Sequence, residues 1–248
     1  MVLITICLVL VFISISYAEI DPESISALWL LDEGSGKLAS DSSGKGNDAT
    51  ISGAEWADGK FGKALEFDGK DTAESKTFKN TAGEFNVHTY VLWAKQKGSG
   101  SEIPFNAGSA RVMNVHFNES PGSLLVGYSG MAGDWIRVPN VITPDEWYHV
   151  GVTYDGKEML AYLNGKVISQ RDTSVSPPQE AGSFLMRRFL GGGYFYNGLI
   201  DDVCVFNVAL AEDDINIIMQ QGMKKILEGG AVSSSGNLAT TWSSIKAY

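Results

Sequence analysis

The chain has 248 residues and a formal charge of −10, with 29 Asp and Glu against 19 Lys and Arg. That length suffices for one sandwich-sized domain with a sizeable core, and the acidic balance leaves no basic stripe for nucleic acid while suiting divalent cations. The 28 glycines and dispersed aromatic residues fit many short strands joined by tight turns and exclude a helical bundle.

Val2 to Ile15 form an uncharged apolar run, and Ser16-Tyr17-Ala18 supplies the small residues of a signal-peptidase site before Glu19. Residues 1–18 therefore read as a secretory signal peptide, although the segment lacks a Lys or Arg before the run. An uncleaved anchor fits less well, because the run barely reaches spanning length and has no basic flank. The expected location is secreted, extracellular or at the cell surface. Cys7 leaves with the leader, so Cys204 is the one thiol of the mature chain and forms no intramolecular disulfide.

Ile25 to Leu31 predicts the first strand, and Asp32-Glu33-Gly34-Ser35-Gly36 must turn. Asp41 to Asp48, DSSGKGND, is a second turn-rich segment, dense in the carboxylate, amide and carbonyl oxygens that a hard cation takes. The bland alternative is a solvated loop with Asx turns. From Trp56 to Asp68 two turns lead into a strand in which Ala64 and Glu66 oppose Leu65 and Phe67. Phe85 to Ala94 predicts a central strand, broken by Lys95 to Ser101. Val112 to Phe117, Ser123 to Tyr128 and Trp135 to Val138 follow at the spacing of a sandwich.

Asp155-Gly156 suits a two-residue type I′ turn, which would set Tyr154 opposite Lys157, Val152 opposite Met159 and Val150 opposite Ala161. One face of this hairpin is then apolar, and the other carries Trp147, His149, Gly151, Thr153, Leu160 and Tyr162. Asn164-Gly165 returns the chain in a third strand. Thr173 to Gln179, with Pro177-Pro178, must be a loop, and Phe184 to Leu190 and Tyr196 to Phe206 complete the strands. In the last of these, alternation places Leu199, Asp201, Val203 and Val205 on one face and Ile200, Asp202, Cys204 and Phe206 on the other. An ionised Asp201 among valines needs a cation or several donors. Ile215 to Leu227 carries apolar residues at helical spacing behind the acidic turn Glu212-Asp213-Asp214, predicting one helix that ends at Gly229-Gly230.

Glu146-Trp147-Tyr148-His149-Val150 with Tyr154-Asp155-Gly156, followed by Tyr162-Leu163-Asn164-Gly165, resembles the centre of the laminin G-like jelly rolls of the concanavalin A-like lectin and glucanase group. Two flanking stretches agree, LDEGSGKLASDSSGKGNDATISG from Leu31 and YNGLIDDVCVFNVAL from Tyr196. The resemblance implies an all-β fold, a two-sheet antiparallel jelly-roll sandwich, with the one C-terminal α-helix added by periodicity. The domain would occupy residues 19–228, with a tail over 229–248. It also implies a structural calcium site built from Asp41, Asn47 and Asp201 with Asp32, whereas the residues alone equally allow Asp201 to cap backbone amides.

No catalytic set stands out, and an enzyme is not expected. The glucanase branch uses a Glu-x-Asp-x-(x)-Glu arrangement, and the nearest match, Glu66-Phe67-Asp68, runs into Gly69-Lys70 without a second Glu. His88, His116 and His149 lie singly, without zinc or triad spacing. The reading is therefore a secreted recognition module for a carbohydrate or an extracellular protein. Sugar rings stack on aromatic faces, which makes Trp135, Tyr162, His149, Tyr194 and Tyr196 the candidate ligand-binding residues. A cell-surface adhesion domain and a degenerate hydrolase are the alternatives, the last needing two carboxyl groups ~5–10 Å apart in a cleft.

Overall fold

The computed structural model describes residues 20–76, 78, 87–107, 113–128, 135–173, 184–186 and 195–229. Residues 1–19 (which hold the expected signal peptide), Pro177-Pro178, Tyr194 and the residues from 230 onward lie outside these residues.

Short apolar-polar alternations separated by turns produce the strands β1 (Ile25–Trp29), β2 (Leu38–Ala39), β3 (Ala49–Ser52), β4 (Glu55–Asp58), β5 (Lys63–Asp68) and β6 (Thr72–Ser75). They continue as β7 (His88–Gln96), β8 (Glu102–Ala107), β9 (Met113–Phe117), β10 (Leu124–Tyr128), β11 (Trp135–Val138) and β12 (Tyr148–Tyr154). Then come β13 (Glu158–Leu163), β14 (Lys166–Asp172), β15 (Phe184–Met186), β16 (Asn197–Phe206) and the helices α1 (Glu212–Gln221) and α2 (Met223–Gly229). The first sheet runs β14-β13-β12-β7-β16-β5-β4 with β1 alongside β16, and the second runs β11-β10-β9-β8-β15-β6-β3-β2. All their pairings are antiparallel. The expected two-sheet jelly-roll sandwich is borne out. Among the described residues no helix is long and apolar enough to cross a membrane.

Between the sheets, Trp29, Phe67, Leu92, Val150, Val152, Met159 and Val205 of the first meet Phe105, Val115, Phe117 and Val126 of the second, all fully buried. Each such side chain contributes about 1.5–3 kcal/mol relative to exposure. The helices cover the other face of the first sheet, where Ile215, Ile218 and Met223 pack on Leu28, Val91, Tyr162, Cys204 and Phe206. Cys204 is thus a small buried hydrophobe.

Four expectations change. The hairpin register moves by two residues: Tyr154 opposes Met159, Val152 opposes Ala161 and Val150 opposes Leu163. The Asp155 carboxylate accepts the amides of Lys157 and Glu158 at 2.8 and 2.7 Å, which makes a four-residue turn in place of a two-residue one. Because the shift is even, every side chain keeps its predicted face. Second, Gly222 (φ 74°) divides the single predicted helix into α1 and α2; a Cβ there would lie 2.9 Å from the Phe61 ring.

Third, β16 does not alternate throughout. Asp201 opposes Trp93 and Cys204 opposes Val91, so Asp202 and Val203 share one partner position in a bulge. Ile200, Val203 and Val205 consequently share the core face, while both aspartates leave it. Fourth, β2, β3, β4, β6 and β8 were not anticipated, and β7 runs on to Gln96 through the predicted break.

Candidate functional site

The predicted calcium ligands divide into two groups, each turned onto backbone. Asp41 lies against β1: its Oδ1 accepts Leu28 N at 3.0 Å, Ser43 N at 3.0 Å and Ser43 Oγ at 2.6 Å, and its Oδ2 accepts Asn47 N at 2.9 Å. Asn47 in turn donates its Nδ2 to Ser26 O, and its own carbonyl accepts Trp29 Nε1. This carboxylate staples the 41–48 loop to the first strand.

Asp201 and Asp32 serve the β4–β5 turn. Asp201 Oδ2 accepts Lys60 N at 2.8 Å and Phe61 N at 2.9 Å, its Oδ1 accepts Asp202 N at 2.8 Å, and Asp32 accepts Lys63 N at 2.9 Å. The bulge lies where β5 stops pairing with β16 and β1 begins. The Asp202 Oδ2 accepts Met223 N at 2.9 Å, holding the start of α2. Calcium needs six to eight oxygens directed at one point; here both oxygens of Asp41 and of Asp201 already face N–H or O–H donors. The four predicted ligands do not fit one calcium shell, and among the described residues no group of three or more His, Cys, Asp and Glu could hold a metal ion. Capping of backbone amides, the bland alternative for Asp201, is what the geometry provides.

Burial, and then the like charge of Asp202, push the Asp201 carboxyl up to about 8 against the pull of its amide donors. Burial likewise raises Asp202 to about 7, with Asp32 adding and the Met223 amide and Lys224 opposing. Both groups are buried on amides, and Glu66 of the nearest glucanase-like motif is paired with Lys97.

Of the predicted ligand contacts, three are packing residues. Tyr162 is buried beneath α1, and Tyr196 is buried with its hydroxyl donating to Leu199 O at 3.0 Å. His149 is buried beside Trp93, the ring centroids 5.2 Å apart. Neither ring nitrogen of His149, nor Trp93 Nε1, has a hydrogen-bond partner among the described residues, and burial pushes the imidazole down to about 3. Sequence had placed Tyr162 and His149 correctly on the second face of the hairpin, but α1 and the β4–β5 turn cover that face. Tyr194 lies outside the described residues.

Trp135 remains half-buried at the edge of the second sheet. Phe105, Val115, Val126 and Ile136 point into the core, so their neighbours face outward. Register aligns Asn106, Asn114, Gly127 and Trp135 in one row across β8 to β11, with His116, Leu125 and Arg137 in the next. Asn106 Nδ2 donates to Asn114 Oδ1 at 2.6 Å, whereas Asn106 Oδ1 is buried without a partner among the described residues. Ser101 Oγ lies 2.8 Å from His116 Nε2. Burial lowers His116 to about 4, which keeps it neutral at pH 7. Arg137 is balanced by Glu119 at 2.9 Å. The two rows are polar and charge-balanced, with Asn106, Asn114, His116 and Leu125 buried and the Trp135 indole half-buried at the end of the first. The alternation of Asn114 and His116 with Val115 and Phe117 hinted at it, but only the register reveals the row.

The family model of the concanavalin A-like lectin/glucanases superfamily matches residues 67–216, more than half of the chain. No curated protein sequence matches. Among solved structures, the chain is similar to domain 4 of an extracellular GH43 arabinanase from Geobacillus stearothermophilus, in complex with arabinotriose. The identity is 19%, over 79% of this chain and 98% of that one, with a TM-score of 0.64. It is also similar to the receptor binding domain of botulinum neurotoxin C/D mosaic serotype (11%, TM-score 0.61) and the binding domain of Paraclostridial Mosquitocidal Protein 1 (12%, TM-score 0.59). These comparisons cover 82% and 80% of this chain and 52% of each of those chains. At such identities the likeness is one of fold.

Proposed function

The chain belongs to the concanavalin A-like lectin/glucanases superfamily, and from that premise we propose that it is an exported, non-catalytic module that binds a neutral glycan on the outer face of the second sheet. The observation that carries this reading is the half-buried indole of Trp135 at the end of the row Asn106–Asn114–Gly127, where the buried Asn106 Oδ1 has no partner among the described residues. The indole stacks on the C–H face of a ring, glycine beside it leaves the sheet surface low, and the buried amides of Asn106 and Asn114 back the site from beneath. The charge-balanced Arg137 and neutral His116 favour an uncharged ligand, and the acidity of the whole chain disfavours a polyanion. Export rests on the leader-like residues 1–18.

Among the described residues, catalysis has no support in the arrangement of acids. Asp201 and Asp202 are buried on backbone amides and do not line a cleft, as a glycosidase pair must. Two of the similar domains are named for receptor binding and for arabinotriose, which motivates a panel holding both glycans and glycoproteins. Titration calorimetry against neutral and acidic oligosaccharides, arabinotriose included, tests the reading. Binding to a neutral member, weakened about tenfold or more by Trp135→Ala with the melting temperature unchanged, is expected. Binding only to acidic members, or none, overturns it.

A further inference from the structure

At the end of the sandwich that holds the β12–β13 turn, a shallow surface cavity of about 530 Å³, wide open to solvent, is lined by Gly156, Lys157, Asp172 and Thr173. The Asp155 carboxylate accepts two amides of the turn, and Thr173 N donates to Lys157 O at 2.8 Å, closing the strand ends together. The Lys157 ammonium and the Asp172 carboxylate are both exposed at this cavity. One residue back from Asp172, Arg171 donates from NH1 to the carbonyl of Trp135 at 3.0 Å, which ties this corner to the indole at the edge of the second sheet.

We propose that this cavity is a second saccharide subsite, which takes the hydroxyls of a sugar residue beyond the one stacked on Trp135. The inference rests on the glycan reading above. The volume falls within the range of small-molecule sites. The chemistry suits an uncharged polyol: Lys157 offers an ammonium donor and Asp172 a carboxylate acceptor, so hydroxyls can both receive and give hydrogen bonds there. An anionic ligand is disfavoured, because Asp155, Glu158 and Asp172 outnumber the nearby cations Lys157 and Arg171. Backbone hydrogen bonds hold the turn and strand ends in place, so little ordering opposes binding.

Titration of the full chain with arabinotriose and with arabinose tests the subsite, with Asp172→Asn and Lys157→Met as the variants. Both positions are exposed, so an unchanged melting temperature is the folding control. The expected result is a loss of about tenfold in trisaccharide affinity for either variant with the single sugar unaffected, whereas Trp135→Ala weakens both. If the variants bind arabinotriose as the parent does, the second subsite is overturned and the glycan reading stands. If the parent binds neither sugar, the subsite proposal is overturned; if it also binds no other neutral glycan, the reading beneath it falls as well.

Discussion

His149 and the Asp201–Asp202 pair are the residues whose surroundings conflict most with their chemistry, and they place the protein's stability optimum on the acid side of neutral, between about 4 and about 6.5. The folded His149 resists protonation down to about 3, while an unfolded chain accepts that proton near 6.5. Its contribution is therefore present above about 6.5 and is lost as pH falls towards 3; His116, lowered to about 4, acts in the same sense. The aspartates act oppositely. Their folded values, about 8 and about 7, lie above the unfolded carboxylate range, so their contribution is full below about 4 and is lost as pH rises through 7 to 8. A melting temperature that falls by about 3 °C or more between pH 6 and pH 9, and falls less in Asp202→Asn, is expected in thermal scans. His149→Phe removes two nitrogens that lack partners among the described residues, and should raise stability by about 1 kcal/mol or more while flattening the acid side of the same curve. A variant less stable than the parent at every pH would count against this account of His149.

At the level of the element, the bulge in β16 is the point on which three pieces of chain converge. Asp201 holds the β4–β5 turn, Asp202 holds the start of α2, and Phe61 of that turn lies against Gly222 between the helices. Gly222→Ala combines a positive φ with a methyl 2.9 Å from the Phe61 ring. It should destabilise by about 1–3 kcal/mol in denaturant titration. A neutral result would mean that the break between the helices is incidental. In the central hairpin, Met159 is fully buried between the sheets, and Met159→Ala is expected to remove about 2–5 kcal/mol. Truncating the exposed Lys166 of the neighbouring strand should change stability by less than about 0.5 kcal/mol.

Taken as a whole, the molecule uses carboxylates as internal fasteners for its loops. Asp41, Asp155 and Asp201 each accept two or more backbone amides, a task that many jelly-roll loops could give to a cation. Calcium should therefore leave the melting temperature within about 1 °C of its value in EDTA, since a ligand shifts stability only by binding the folded form. A rise on adding calcium, abolished by Asp41→Asn, would overturn this view. The same arrangement separates the two sheets by role: the first is roofed by α1 and α2, while the second carries the buried polar row with the half-buried Trp135 at its edge.

The in-and-out pattern of the main strands was legible in the amino-acid order, because the side-chain period of two survives any even slip. That is why Val150, Val152 and Met159 were placed in the core although their partners were misassigned. Trp135 was a candidate on local grounds, as an aromatic residue at a strand start behind the loop Gly133-Asp134. The short strands β2, β3, β4 and β6 and the Pro-containing β8 were not, since they hold together through partners distant in the chain more than through their own composition. The bulge inverted the alternation beyond Ile200, and the helices buried Tyr162 and His149. Those outcomes depend on which backbone amide or apolar face lies opposite, a quantity that exists only once remote segments have met. Local periodicity thus determined which residues share a face; tertiary contact decided which face is covered, which carboxylates are fasteners and where Asn106, Asn114 and Trp135 come into line.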